Sequence, residues 1–391
     1  MPESLDFFSS EFLKLTRRKI QVRDIGFLKS VNLHTFPGES KKMTLPVIDT
    51  QYLIRFLVDL LNTPSPTGYT QQAIVFTEQT LRHFPQLTLT HTRKGALVAR
   101  WEGKKSDAPR ALTAHVDTLG AMVKEIKPNG RLKLTRIGGL LLNGVETEGC
   151  WVITNAGAKV RGSYLFEKAS SHVHAALVNE TRRAEENMEV RLDARTTSAD
   201  GTRALGIQVG DFVYFDPRVE VTEGFVRSRF LDDKACVATV VTAIKALHDA
   251  GLQPTQSTYF HFSNYEEVGH GASTGIPHYV HELLTVDMAA IGDGQTSDEY
   301  STTLCVKDSG GPYHHGLSQK LRALAEKHAI PYKTDIYPYY GSDGEAFWRA
   351  GGDVAVALIG PGVDASHNYE RTHTDALIAT TNWICAYLLS E

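Results

Sequence analysis

The chain has 391 residues, 42% hydrophobic and 22% charged, with a formal net charge of -4. At about 100 to 200 residues per domain this fits two domains, or one large domain carrying an insertion, and the composition excludes a disordered or fibrous chain. The slight negative charge gives no reason to expect a nucleic-acid partner.

Residues 1–42 have weak periodicity, a basic cluster at Arg17, Arg18 and Lys19, and a break at Pro37 and Gly38. They read as an extension without assigned function. From Tyr52 the residues Leu53, Ile54, Phe56, Leu57, Leu60 and Leu61 recur at helical spacing until TPSPTGY stops the helix, and a second helical stretch runs to Phe84. LTLTHT, GALVARW and RALTAHVD then read as successive strands of one sheet.

From 123 to 226 the pattern changes to short strand-like runs, RLKLTRI, CWVITNA, KVRGSYLF, MEVRLDA and DFVYFDPRVEV, separated by turn residues. This predicts an all-β module inserted into the α/β domain. Helix and strand alternate again afterwards: KACVATVVTAIKAL has one apolar face, and STYFHFSNY and VAVALIG read as buried strands. The expected fold is α/β, a mainly parallel sheet with flanking helices over 43–122 and 227–391, interrupted by a β-rich insertion. No apolar run approaches the roughly 18 residues of a membrane span, and the N terminus lacks a basic region leading into a hydrophobic one. Cys150, Cys236, Cys305 and Cys385 are too scattered for a disulfide framework or a thiolate zinc ribbon, so a cytoplasmic location is expected.

Several acids and histidines fall where strands of the α/β part end. His115 and Asp117 close one strand, and a carboxylate beside an imidazole fixes the orientation of a metal-binding ring. Asp232 and Asp233 stand at a helix start, where one can hold a metal while the other caps the helix. Glu266 and Glu267 end a strand as adjacent like charges, a costly pair without a cation, and in extended chain they point apart. Asp287 interrupts an apolar run, and His367 lies in a loop near the C terminus with His373 as its rival. The set His115, Asp232, Glu267, Asp287 and His367 sits at strand ends, the usual place for active sites in such domains. It suits zinc, cobalt or manganese better than metals that prefer thiolates. Two divalent ions about 3.5 to 4 Å apart acidify a water and stabilise an oxyanion, with Glu266 as the natural general base.

TPSPTGY, AHVDTLGAMV, RIGG, GIQVGDFVYFDP, FLDDKACVA, NYEEVGHGAS, TVDMAAIGD and GSDGEAF, in this order, resemble metallopeptidase family forty-two. This family comprises glutamyl and deblocking aminopeptidases, the tetrahedral TET peptidases and proteins once labelled cellulases. The resemblance implies a zinc-peptidase-like catalytic domain and an inserted β-barrel-like oligomerisation domain. It also implies two zinc or cobalt ions per subunit and dimers that build up to a dodecamer. It makes His115 and Asp287 terminal ligands and Asp232 the bridging carboxylate. Glu267 and His367 complete the pair, with Glu266 as base and Asp117 behind His115. The C-terminal loop ASHNYERTHTDAL departs from the family's histidine, Ser-Pro and later glutamate. The variant loop resembles a subgroup associated with the osmoprotectant N-acetylglutaminylglutamine amide. The expected activity is therefore removal of N-terminal residues from short peptides, and the alternative is an amidase or deacylase acting on a capped glutamine dipeptide. A glycosidase needs carboxylates flanking a sugar bond at roughly 5 to 9.5 Å, a poor match for adjacent acids.

Overall fold

Strand Ala355–Val363 turns Ala357 and Ile359 to one face and Val356 and Leu358 to the other, all four buried. A strand apolar on both faces belongs inside a sheet covered by two layers. The computed structural model describes residues 44–391 and places that strand in the middle of a ten-stranded sheet. The extension expected over 1–42 lies outside the described residues.

Four neighbouring strands, Gln256–Ser263, Lys105–His115, Glu282–Val286 and Ala355–Val363, run parallel at the centre. Antiparallel Leu97–Trp101 and Leu87–His91 extend one side, and Thr302–Asp308, with Tyr332–Ile336 parallel to it, extends the other. Ser263 stands opposite His115 in register, so the central strands finish at nearly the same level.

Helices Thr50–Leu61, Leu231–Asp249, His315–Lys327 and Thr374–Leu389 pack on one face, and the short helix Asp343–Arg349 covers the other. The final helix is buried almost all round, and its Trp383 donates to the carbonyl of Leu321 at 2.9 Å. Each fully buried apolar side chain here contributes roughly 1.5 to 3 kcal/mol relative to exposure.

The six strands Gly120–Ile126, Leu132–Ile137, Gly149–Ile153, Lys159–Phe166, Met188–Leu192 and Phe212–Phe215 close into a barrel filled by side chains such as Val152, Tyr164, Val190 and Phe215. The insertion is not wholly β: short helices Ser171–His174 and Leu177–Glu180 interrupt it where EKASSHVHAALVNE lacks strand alternation. After the barrel, Glu220–Thr222 and Phe225–Ser228 form a small sheet with Glu370–His373, which ties the end of the insertion to the C-terminal segment. Among the described residues no helix is long and apolar enough to cross a membrane, and all four thiols are buried and unpaired.

Candidate metal centre

The level ends of the parallel strands gather the acids and imidazoles. His115 is the last residue of its strand, and its Nε2 lies 3.1 Å from Asp232 Oδ1. His367 enters from the loop after Ala355–Val363, with its Nε2 3.4 Å from Asp232 Oδ2. One carboxylate thus stands between two rings. Asp232 and Asp233 can both face this space because the helix starting at Leu231 is not helical there, with φ/ψ of -72/102 and -120/21. Neither caps the helix. Asp233 instead accepts the backbone N–H of His115 at 3.1 Å.

Glu266 and Glu267, which the sequence reading places in extended chain, instead form a 3₁₀ turn, Glu266–Val268, beyond the end of a central strand. Successive side chains diverge by about 120° in such a turn. Glu266 therefore faces His115, 3.7 Å from Nε2, and Glu267 faces His367, 3.6 Å from Nε2. The turn is held by Asp117, which accepts the N–H groups of Glu266 and Glu267 at 3.2 and 3.3 Å and the Thr67 hydroxyl at 2.7 Å. His115 Nδ1 lies 3.0 Å from the Asp117 carbonyl and 3.5 Å from its carboxylate, so the carbonyl is the nearer partner of that ring.

Asp287 follows Val286 directly, and its N–H donates to the carbonyl of Ile359 at 3.0 Å. His373, the rival to His367, ends strand Glu370–His373. Its Nδ1 accepts the N–H of Asp375 at 3.1 Å, which makes it the N-cap of the last helix.

Donor atoms of His115, Asp233 and Asp287 lie within 4.8 Å of one another, and those of Asp232, Glu267 and His367 do the same. Burial and the neighbouring acids push the Glu266 and Glu267 carboxyls well above their usual range, and burial with the Asp232 charge lifts Asp287 to about 7. For Asp232 burial acts in the same direction, but hydrogen bonds from His115 and His367 outweigh it and hold the carboxyl low. Burial disfavours the charged His367 ring, yet Asp232 raises it to about 9.

The cleft over these groups, about 400 Å³, has no lysine or arginine in its lining. Asp233 Oδ1 and Asp287 Oδ1 are buried without a hydrogen-bond partner. An uncompensated buried acceptor costs about 1 to 3 kcal/mol, and more when charged. A bound cation supplies the missing partner, and imidazoles with carboxylate oxygens are the donor set of zinc, cobalt and manganese.

Two further residues at the site carried no reading in the sequence, and a third carried only part of one. Glu370 accepts the N–H of both Asp232 and His367, at 3.1 and 2.9 Å, and its position three residues beyond His367 was the available signal. Asp233 was visible only as the second member of a pair. Tyr340, whose hydroxyl donates to the Met288 carbonyl at 2.9 Å beside Asp287, gave none.

Residues 95–382 match the family model described as M42 glutamyl aminopeptidase, a span that includes every candidate from His115 to His367. The chain is 47% identical over 338 residues to a Bacillus subtilis (strain 168) protein named "Putative aminopeptidase YhfE", with 86% of this chain and 97% of that one covered. Among solved structures, aminopeptidase APDkam598 from the archaeon Desulfurococcus kamchatkensis is similar with a TM-score of 0.78 at 21% identity, covering 88% of this chain and 96% of that one. The Pyrococcus horikoshii TET1 peptidase, titled as assembling into a tetrahedron or a large octahedral shell, is similar with a TM-score of 0.75 at 21% identity, covering 87% and 100%. These archaeal likenesses establish the fold, and the matched family model and the Bacillus relative establish descent: the chain belongs to the M42 glutamyl aminopeptidase family.

Proposed function

We propose that the chain is a metal-dependent aminopeptidase in which His115, Asp232 and Asp287 hold one divalent ion and Asp232, Glu267 and His367 hold a second, with zinc, cobalt or manganese as the working metal. The observation that carries this reading is the Asp232 carboxylate standing between two imidazoles, one oxygen toward each. Asp233 is close enough to His115 and Asp287 to share the first position. Metal bound there would acidify a water and polarise the scissile carbonyl.

The chain's own residues account for the rest. Glu266 lines the cleft with its carboxylate free of any ladder role, placed to take a proton from the attacking water and return it to the leaving nitrogen. Asp117 keeps Glu266 and Glu267 aimed by fixing their backbone. The matched family model and the Bacillus relative named as a putative aminopeptidase favour an aminopeptidase over an amidase for capped dipeptides.

Homo-oligomer formation belongs to the same reading, with the barrel as the assembly element and dimers building toward a dodecamer. Four unpaired thiols accord with the reducing cytoplasm. The test is metal analysis of the purified protein together with hydrolysis of free and N-acetylated dipeptides before and after chelation. About two ions per chain and chelator-sensitive cleavage of the free peptides are expected. Preference for the acetylated peptides would replace the aminopeptidase with the amidase.

A further inference from the structure

A second cavity, about 700 Å³, lies beside the catalytic cleft, shares Leu141 with it and reaches Asn368, the neighbour of His367. Its outer wall comes from the barrel and includes Arg136, Arg182 and Arg183. Two of these guanidiniums are committed. Arg136 donates to Glu185 at 3.0 Å and to the Leu140 carbonyl at 3.2 Å, and Arg183 forms a two-pronged pair with Glu146 at 2.8 and 2.9 Å.

Arg182 is different: it is exposed to the cavity and pairs with no acid among the described residues. An arginine fork without a partner is a strong and geometrically selective binder of carboxylate. A peptide whose scissile bond lies over the metal site must lead its leaving portion out past one of the cleft's walls, and Leu141 lines both that cleft and the cavity that holds Arg182.

We infer that Arg182 binds a carboxylate on the leaving side of a short peptide substrate, either its C-terminal carboxylate or the acidic side chain of the residue after the scissile bond. This inference rests on the aminopeptidase reading above. It makes Arg182 a specificity residue, selecting for peptides that end close to the cut in the first case and for an acidic residue after the cut in the second.

The test measures kcat and KM of the metal-loaded enzyme on alanyl-alanine and alanyl-alaninamide, and on alanyl-glutamate amide and alanyl-glutamine amide. Alanine 4-nitroanilide serves as a substrate with no carboxylate. Removing the recognised carboxylate raises KM roughly tenfold or more while kcat stays within about twofold. The acid–amide pair reports the C-terminal carboxylate and the glutamate–glutamine pair the side chain. Arg182→Ala abolishes that discrimination and leaves the 4-nitroanilide rate unchanged, and Arg182→Lys restores part of it. Cleavage of the anilide with no discrimination in either pair, or discrimination that survives Arg182→Ala, overturns the inference alone. No cleavage of any of the five substrates removes the aminopeptidase reading and this inference with it.

Discussion

Glu370 Oε2 accepts the backbone N–H of Asp232 at 3.1 Å, tying the C-terminal loop to the start of the helix that carries the central carboxylate. Its other oxygen accepts the N–H of His367 at 2.9 Å, and His367 sits at φ +65, a conformation that costs a non-glycine residue about 1 to 3 kcal/mol unless its surroundings impose it. Glu370→Ala should leave both N–H groups unpaired and release His367. Metal affinity is expected to fall about 10- to 100-fold, as on loss of other groups that orient ligands, and calorimetric metal titration checks it. Unchanged affinity would mean that the loop holds His367 without Glu370.

Glu266 and Glu267 are neighbours in one turn yet face different rings, so their substitutions should separate. Glu266→Gln is expected to keep the metal content and lose about 10²- to 10⁴-fold in kcat, the range for removal of a general base. Glu267→Gln should lower metal content first, read by elemental analysis after gel filtration. Near-full activity in Glu266→Gln would remove Glu266 from the role of base.

The sequence made the frame of the site readable because its signals are local. Alternation in STYFHFSNY and VAVALIG marks buried strands, and an acid or histidine at the end of such a run can be seen without a fold. His115, Glu267 and Asp287 stand out in that way, Asp232 at a strand-to-helix junction and His367 in a loop after a buried strand, and the structure brings them together. What was not legible depends on contacts between distant segments. The choice between His367 and His373 turns on which ring caps the last helix, and the work of Glu370 depends on a backbone N–H 138 positions away. The 3₁₀ turn at Glu266 was missed because adjacent acids after a strand give no period by which to tell a turn from extended chain.

A second buried acid pair predicts a pH effect away from the metal centre. Burial and the hydrogen bond with Asp308 raise the Glu345 carboxyl to about 8, while Arg349, 3.6 Å away, pulls it slightly down. Asp308 is engaged by the N–H of Gly310 at 3.0 Å and by the Tyr313 hydroxyl. A folded-state value above the unfolded one means that the folded chain holds this proton more tightly. The associated stability is complete below about pH 4.5 and is lost as pH rises through about 8. Wild type should therefore lose more stability than Glu345→Gln between about pH 6 and about pH 9 in urea unfolding. Equal losses would show that Glu345 does not titrate in that window.

The barrel, too, reaches into the metal centre. A Cβ built on Gly139, in the RIGG segment after barrel strand Leu132–Ile137, would lie 2.8 Å from Nδ1 of His367, and one on Gly138 would lie 3.0 Å from the carbonyl of Glu267. The imidazole cannot retreat by moving its backbone, because Glu370 pins the His367 N–H, so a side chain at 139 must turn the ring away from Asp232. Gly139→Ala is accordingly expected to weaken binding at the His367 half about tenfold or more while the His115 half keeps its affinity. Metal per chain should then fall from about two toward one on dialysis, while the thermal midpoints of the metal-free variant and the metal-free wild type stay close because no core contact is lost. If the variant retains its metal as wild type does, the ring has room that the close approach of Gly139 denies, and the barrel serves the site less directly than this contact implies.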